Sequence, residues 1–438
     1  MKIFFKYTFS FVCSLLIFGL TSGLAQQKIT LSQAIETALK NNLDIQISKN
    51  TVAVNSINNY VGVAGGLPTV TGTATSNEQV TGLNQELSNG TSTNRTGVVS
   101  NNTNMSVTAT MMLYNGGRVI ATRKRLEELQ RLSQEQLNAT VQGVIADVML
   151  KYFAVVQQQN FVSTLQQSIE VSKQKLNLIE ARKSVGLSNE AEVLQARLDL
   201  NAQTQALQSQ KIIIEQSKAD LIRSLVLNQN DDISIIDTIY VDKSVQWENI
   251  ESSLQKHPSL LSAEAQITVN KLLEREANAR LYPTVNLNTG YNYGRSQSGA
   301  GFTLLNQTYG PFLGLNVSVP IYTGSVNSRQ VQIAKINTQT AQIQKEVLKQ
   351  NFQNTAAKSW EVYHNTLQLI EAEQQNYELA GKLLKVITER FQLGQATIVD
   401  IKLAQQSFEN SGYRLNNLSY TAKVAEITLK QLANQLAN

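Results

Sequence analysis

Two acids stand out by residue type and position. Glu192 and Asp400 lie 208 residues apart, and each comes six residues after a glycine that follows an aliphatic residue. The first stretch reads Val185-Gly186-Leu187-Ser188-Asn189-Glu190-Ala191-Glu192, the second Leu393-Gly394-Gln395-Ala396-Thr397-Ile398-Val399-Asp400. One chemistry open to such a pair is capping: the glycine ends one helix, and an acid near the next N-terminus stabilises its dipole. A second is collective. In a closed assembly of several copies the acids would form a ring that attracts cations and repels itself.

Catalytic and metal chemistry find little to work with. The two histidines, His257 and His364, fall in different predicted helices, with no companion cysteine and no HExxH-type spacing. No convincing Walker, Rossmann or Gly-x-Ser-x-Gly pattern is present. Gly62-Val63-Ala64-Gly65-Gly66 precedes a polar strand rather than a helix, so it ends a helix instead of cradling a phosphate. The single cysteine, Cys13, lies within residues 1–25, which have the form of an export signal. Lys2 and Lys6 make a basic start, residues 9–20 an apolar core, and Gly23-Leu24-Ala25 a small-residue cleavage region. The mature chain then has no disulfide and no thiolate, and loss of both lysines lowers the formal charge from +5 to +3. That balance argues neither for nor against a polyanion. The expectation is no catalytic residue, no cofactor, no metal and no nucleic-acid partner.

The elements that position the two acids are long. Residues 105–113 alternate apolar and mostly polar side chains, the period of a strand. Tyr114-Asn115-Gly116-Gly117 stops this strand, and a proline-free helical pattern of about 65 residues follows, roughly 100 Å at 1.5 Å per residue. Val141, Val144, Val148, Tyr152 and Val155 form one seam along it. Val162, Leu165, Ile169, Ser172, Leu176 and Ile179 form another, at coiled-coil spacing. The break at residues 184–188 is short enough to predict an antiparallel return helix over about 189–227. Before the strand come two helices, a polar strand at 69–75, and an Asn/Ser/Thr-rich stretch at 77–104 that reads as a long exposed loop containing strand ends.

The chain then repeats itself. Leu67-Pro68-Thr69-Val70 matches Tyr282-Pro283-Thr284-Val285 at an offset of 215, and Leu113-Tyr114-Asn115-Gly116 matches Ile321-Tyr322-Thr323-Gly324 at 208. The change of offset falls between the paired strands, so the stretches at 77–104 and 295–307 are expected to be equivalent loops of different length. The organisation predicted is a signal at 1–25, a first repeat at 26–242 and a second at 243–438. The first repeat holds a strand pair at about 69–114, a helical hairpin at 118–227 and a mixed connector at 228–242. The second holds a strand pair at about 284–322 and a hairpin at 326–436. The strand-to-helix junctions are Tyr114, Gly116 and Gly117, then Tyr322 and Gly324. No stretch after the signal reaches the roughly 18 consecutive apolar residues of a membrane helix. Any bilayer crossing would therefore use strands.

The strands present apolar sets Met105/Val107/Ala109/Met111/Leu113 and Leu313/Leu315/Val317/Val319/Ile321, with tyrosines near their ends. Four strands cannot close a spanning barrel. Three copies would give twelve strands and a wide lumen, two copies eight strands and a filled interior. Sparse charge and abundant Gln, Asn, Ser and Thr suit long helices wetted on two sides, and an extended periplasmic coiled coil fits that composition too.

These features together resemble the TolC-like outer-membrane efflux family. The resemblance rests on Leu31-Ser32-Gln33-Ala34-Ile35, the Leu-Pro and Tyr-Pro strand starts, the two Tyr-x-Gly junctions, and most specifically Gly394-Gln395-Ala396-Thr397-Ile398-Val399-Asp400-Ile401. It implies a mixed α and β fold: an outer-membrane β-barrel of four strands per chain and twelve per trimer, continuous with a periplasmic α-helical coiled-coil barrel. It also implies a homotrimer that meets a periplasmic adaptor (membrane fusion) protein and an inner-membrane pump or ABC exporter, and acts as a passive exit duct. By this resemblance Val185-Gly186-Leu187 and Leu393-Gly394-Gln395 are adaptor-docking tips, and Glu192, Phe391 and Asp400 form the periplasmic gate. The chain departs from the family pattern in three places. A second constriction acid falls on Leu403, and the gate's tyrosine and arginine partners fall on Phe391 and Ala396. A gate closed more by apolar packing at Phe391 than by hydrogen bonds is the resulting expectation. The second reading is a periplasmic adaptor or scaffold that does not span the membrane.

Overall fold

The structure is a computed structural model that describes residues 27–228 and 233–436. The predicted export signal, with Cys13, and part of the 228–242 connector lie outside the described residues. The elements in order are β1 (Gln27–Lys28), α1 (Leu31–Asn41), α2 (Leu43–Asn58), β2 (Thr69–Glu86), β3 (Ser92–Tyr114), α3 (Arg118–Ser184) and α4 (Glu190–Leu225). Then come β4 (Ile233–Ser234), α5 (Trp247–Ser253), α6 (Pro258–Ala279), β5 (Thr284–Ser298), β6 (Leu305–Ser318), α7 (Val326–Gln392) and α8 (Ile398–Leu432). Contacts divide the chain into a unit of residues 50–136 and 259–347, and a unit made of the remainder.

The first unit carries an antiparallel sheet in the order β2-β3-β5-β6, which leaves β2 and β6 as open edges. Register sorts the side chains by chemistry. Val107 lies opposite Gly72 and Tyr291, Met105 opposite Ala74 and Tyr293, and Leu287 opposite Met111 and Leu315. Met105, Val107, Met111, Leu113, Leu313, Leu315 and Val317 are all exposed on this apolar face. The other face is mostly polar, with Thr73–Ser106 at 2.8 Å and Thr110 donating to Asn288 at 2.9 Å. Gly290 faces Phe312 there, and a Cβ at Gly290 would lie 3.0 Å from the Phe312 ring.

Two expectations for this unit need correction. The stretch at 77–104 is strand for most of its length, broken only at 87–91, where Leu87 N–H donates to the Thr91 carbonyl at 2.9 Å. The extra residues of the first strand pair therefore lengthen β2 and β3, because the connection between β5 and β6, at 299–304, is no shorter than that at 87–91. Thr, Ser and Asn read as loop when apolar alternation is the criterion, yet backbone pairing to a neighbouring strand holds them extended. The second pair also ends early. β6 stops at Ser318 rather than near 322, since Ser318 pairs with Thr284 and β5 begins there.

The strand-to-helix junction is built around glycine. Gly116 and Gly117 have φ of +67° and +79°, and a Cβ on Gly116 would lie 2.7 Å from the Ala279 carbonyl oxygen. Buried Asn115 accepts from the Arg118 N–H with its carbonyl at 3.2 Å and from the Val119 N–H with its side chain at 3.3 Å. The second junction repeats the backbone path, with Gly324 and Ser325 both at φ +62°. Tyr114 and Tyr322 precede the two turns, both exposed.

In the second unit, α1 starts on a Thr30–Gln33 capping box and lays Ala34 and Ala38 into a core with Val148, Tyr152 and Val155 of α3 and Leu221 and Leu225 of α4. The Tyr152 hydroxyl donates to the Ile29 carbonyl at 3.1 Å and to the Asp237 carboxylate. Burial, then the Asp237 hydrogen bond and charge, push the Tyr152 phenol up. A smaller core joins Ile250 and Leu254 to Ala356 and Tyr363 of α7 and Leu429 of α8. By length and mean hydropathy α3 contains a stretch apolar enough to cross a membrane, although it is interrupted by polar residues and is not a consecutive apolar run, and 44% of that stretch is buried inside the fold.

Candidate functional site

Both helix-hairpin tips have the same backbone. Gly186 N–H donates to the Lys183 carbonyl at 3.0 Å and Leu187 N–H to Arg182 at 2.8 Å. Gly394 N–H donates to Phe391 at 3.0 Å and Gln395 N–H to Arg390 at 2.8 Å. This bond pair closes a helix through a left-handed residue, and Gly186 and Gly394 sit at φ +76° and +77°. Val185, Leu187, Leu393 and Gln395 are exposed on the tips.

The acids are engaged within their own tips. Asn189 caps α4, its side chain accepting from the Glu192 N–H at 2.9 Å, and Ser188 donates to the Glu192 carboxylate. Thr397 caps α8 in a reciprocal box with Asp400: Asp400 N–H to Thr397 Oγ1 at 3.2 Å, Thr397 N–H to Asp400 Oδ2 at 2.8 Å. The Thr397 amide, then its hydroxyl, hold the exposed Asp400 carboxyl below the usual carboxylate range. Capping therefore accounts for Asp400 within one chain, and a hydrogen bond from Ser188 holds the Glu192 carboxylate within its own tip.

Phe391 is placed differently. It is 2% exposed, in a cluster with Ile179 of α3, Val193 and Ala196 of α4, and Ile401 of α8. Val193 and Ile401 each follow one of the acids, so the cluster draws together the two residues next to Glu192 and Asp400 rather than the acids themselves. Arg182 of α3 completes the contact. Its guanidinium carbon sits 4.6 Å from the centre of the Phe391 ring, and it donates to the Phe391 carbonyl. An open cleft of about 490 Å³ lies beside this contact, lined by Arg182, Leu187, Asn189, Glu192, Thr397 and Val399 among others.

Further along α3 the seam turns polar. Lys175, whose side chain is 1% exposed, pairs with Asp199 of α4 at 3.0 Å, and Lys402 of α8 reaches the other Asp199 oxygen at 3.2 Å. Burial pushes the Asp199 carboxyl up. Hydrogen bonds from Lys175, Gln195 and Lys402, with the charge of Lys175, outweigh that and hold it below the usual range. Buried Gln405 of α8 donates to the Ser168 carbonyl at 3.0 Å and to the Ser172 hydroxyl at 2.9 Å. Gln203 donates to Glu409 at 2.9 Å. The first and second hairpins are thus joined by an aromatic ring, a guanidinium and a shared aspartate.

Sequence reasoning passed over Arg182, Lys175, Asp199 and Gln405. Arg182 did carry a signal, because the 208 offset equates it with Arg390. The two diverge in use: Arg390 stays within its own tip, 3.5 Å from the Gln395 carbonyl, whereas Arg182 crosses to the other hairpin.

Comparison with known proteins sets this geometry in a family. The chain is 24% identical over 323 residues to the outer membrane protein TolC of Vibrio cholerae serotype O1, covering 71% of this chain and 72% of that protein. It is 20% identical to the outer membrane efflux protein BepC of Brucella suis, covering 88% and 80%. Among solved structures, the Campylobacter jejuni CmeC outer membrane channel superposes with a TM-score of 0.79 at 17% identity, covering 92% of this chain and 85% of that one. The open state of the Neisseria gonorrhoeae MtrE outer membrane channel gives 0.70 at 18%, covering 93% and 89%. The outer membrane efflux protein family model matches residues 34–225 and 249–435, most of the chain, so the chain belongs to that family.

Proposed function

We propose that the chain is one of three identical subunits of an outer-membrane exit duct. The duct has no catalysis of its own and is energised by an inner-membrane pump or ABC exporter through a periplasmic adaptor. The observation that carries this reading is the sheet: one face exposes a row of aliphatic side chains, the opposite face is mostly polar, and both edges lack strand partners among the described residues. Open strand edges are untenable in lipid, so such a sheet requires closure by further copies. Twelve strands leave a water-filled lumen, which the polar face would line. The tips Val185-Gly186-Leu187 and Leu393-Gly394-Gln395 present exposed, rigidly capped loops suited to docking an adaptor. Glu192, Phe391 and Asp400 form the gate, with Phe391 as its packed centre, Asp400 capping α8 and Glu192 bonded to Ser188 of its own tip loop.

Purified from outer membranes, the protein is expected to sediment as a trimer and to conduct ions in planar bilayers. A soluble monomer without conductance would mark an adaptor or scaffold instead and overturn the reading. In the conducting trimer, Phe391→Ala is expected to raise open probability and sensitivity to large antibiotics. Unchanged conductance in a folded trimer would remove Phe391 from the gate.

A further inference from the structure

Charged residues make up 16% of the chain. The four strands of the large sheet hold only Glu78 and Glu86 in β2, Arg95 in β3 and Arg295 in β5. Register keeps all of them off the central part of the polar face. Glu78 pairs with Asn101 and Arg295 with Thr103, an even number of residues from Met105, so both belong to the face that carries Met105 and Val107. Glu86 and Arg95 lie past the irregularity between Thr81 and Leu83, in the end of the β2–β3 hairpin that has no β5 partner.

What remains on that face is neutral. From the Thr69–Thr110 pair to the Thr81–Val98 pair, β2 presents Thr, Asn and Gln, and β3 presents Thr, Ser and Asn as far as Val98. β5 and β6 continue it with Thr, Asn, Ser and Gly, and with Phe312 over Gly290. The neutral run takes in residues 98–110 of β3, roughly 40 Å along the strand at about 3.3 Å per residue. Its polar groups bond partly to one another. Thr73 and Ser106 are 2.8 Å apart, Thr110 donates to Asn288 at 2.9 Å, and Ser296 donates to Asn102 at 2.6 Å.

A hydroxyl both donates and accepts, and a side-chain amide offers one end of each kind. Such a wall turns donors toward an anion and acceptors toward a cation, with no fixed charge to favour either. A pore lined by one sign of charge behaves differently, because its low-dielectric wall focuses the field and concentrates the opposite ion. We propose that the barrel part of the duct exerts no charge selection, so that cationic, anionic and neutral cargo cross the outer membrane through it alike. This rests on the trimeric barrel argued above, with the polar face inward, and deepens it by naming the cargo its wall admits. Charge is plentiful instead in the hairpin ends, where Lys183, Glu190, Glu192, Arg390 and Asp400 lie close to the two tip glycines in sequence. Any sorting of cargo by charge therefore takes place outside the sheet.

Cysteine reactivity reads the potential at the wall, in a chain whose only native cysteine lies in the predicted signal. Ser106→Cys, on the polar face, is treated in outer membranes with a cationic and an anionic methanethiosulfonate, and each rate is divided by that of a small soluble thiol. The two normalised rates are expected to agree within about twofold at low and at high ionic strength. A larger preference for either sign at low salt would overturn the neutral wall and leave the barrel standing. Adding Asn104→Asp, two residues along the same face, is expected to create a severalfold preference for the cationic reagent at low salt. An unchanged ratio would overturn the link between wall charge and selection. Val107→Cys, on the aliphatic face, tests the barrel itself. Covered by lipid, it is expected to react at least about tenfold more slowly than Ser106→Cys. Equal rates, or a Ser106→Cys that does not react, would overturn the water-filled lumen and the proposal with it.

Discussion

At the residue scale, the informative side chain in the hairpin ends is Asp199. It accepts from a buried lysine on α3 and from Lys402 on α8, so one carboxylate ties together three helices. Its folded pKa lies below its unfolded one. The stabilisation it contributes is therefore present above the unfolded value of about 4 and is lost as pH falls through the folded value. Acidification below pH 4 is expected to loosen the hairpins in the wild type. Asp199→Asn should already be destabilised at pH 7 and lose less on acidification, as followed by helical circular dichroism in detergent across pH 7 to 2. Parallel acid curves for the two proteins would exclude Asp199 as the group responsible. Lys175 shows why the network is costly to interrupt: a buried ammonium without its carboxylate leaves an uncompensated charge.

At the element scale, each long helix needs a start that turns a strand sharply, and the two junctions solve this with different residues. Gly116 is constrained twice, by its positive φ and by the Ala279 carbonyl that a Cβ would strike. Gly117 is constrained by φ alone. Its counterpart Ser325 adopts the same left-handed backbone, which costs a non-glycine residue roughly 1–2 kcal/mol. Ser325→Gly is therefore expected to raise the thermal midpoint of the detergent-solubilised protein, by up to about 1 kcal/mol equivalent. Gly116→Ala should lower the midpoint by more than Gly117→Ala, because it adds a clash to the strain. Equal effects at 116 and 117 would mean that the contact with Ala279 relaxes freely.

At the scale of the whole molecule, the chain is an outer-membrane channel protein of the efflux family, with its helical part in the periplasm. Met105, Val107, Leu313 and Leu315 are exposed, and in the proposed barrel the surface that covers them is lipid rather than protein. Lysine on this face is expected to cost about 2–4 kcal/mol near the bilayer midplane, whereas lysine on the polar face should change ion selectivity instead. Leu315→Lys should therefore reduce assembled protein in outer membranes severalfold, while Thr108→Lys should assemble and shift cation-to-anion permeability. Comparable assembly of both variants would contradict the assignment of faces.

The sequence alone determined most of the large-scale plan, because that plan is written in period and spacing. Alternation of two marked residues 105–113 as strand, three-and-four spacing marked α3, glycine marked both tips, and the offsets of 215 and 208 exposed the repeat. It also brought Glu192, Phe391 and Asp400 to notice. The roles within the tips needed the tertiary structure. A carboxylate three residues into a helix is the same in sequence whether it caps the helix or faces a lumen, and only the Thr397 contacts show that Asp400 caps, and the Ser188 contact that Glu192 bonds within its own tip. The polar strands at 77–104 were illegible for a related reason: Thr, Ser and Asn become strand through a neighbour's backbone, which local composition does not encode. Arg182 on Phe391, and Lys175 and Lys402 on Asp199, join residues more than 20 positions apart in the chain, and up to 209 apart. Contacts of that range are decided by packing four helices together, and no local pattern carries them.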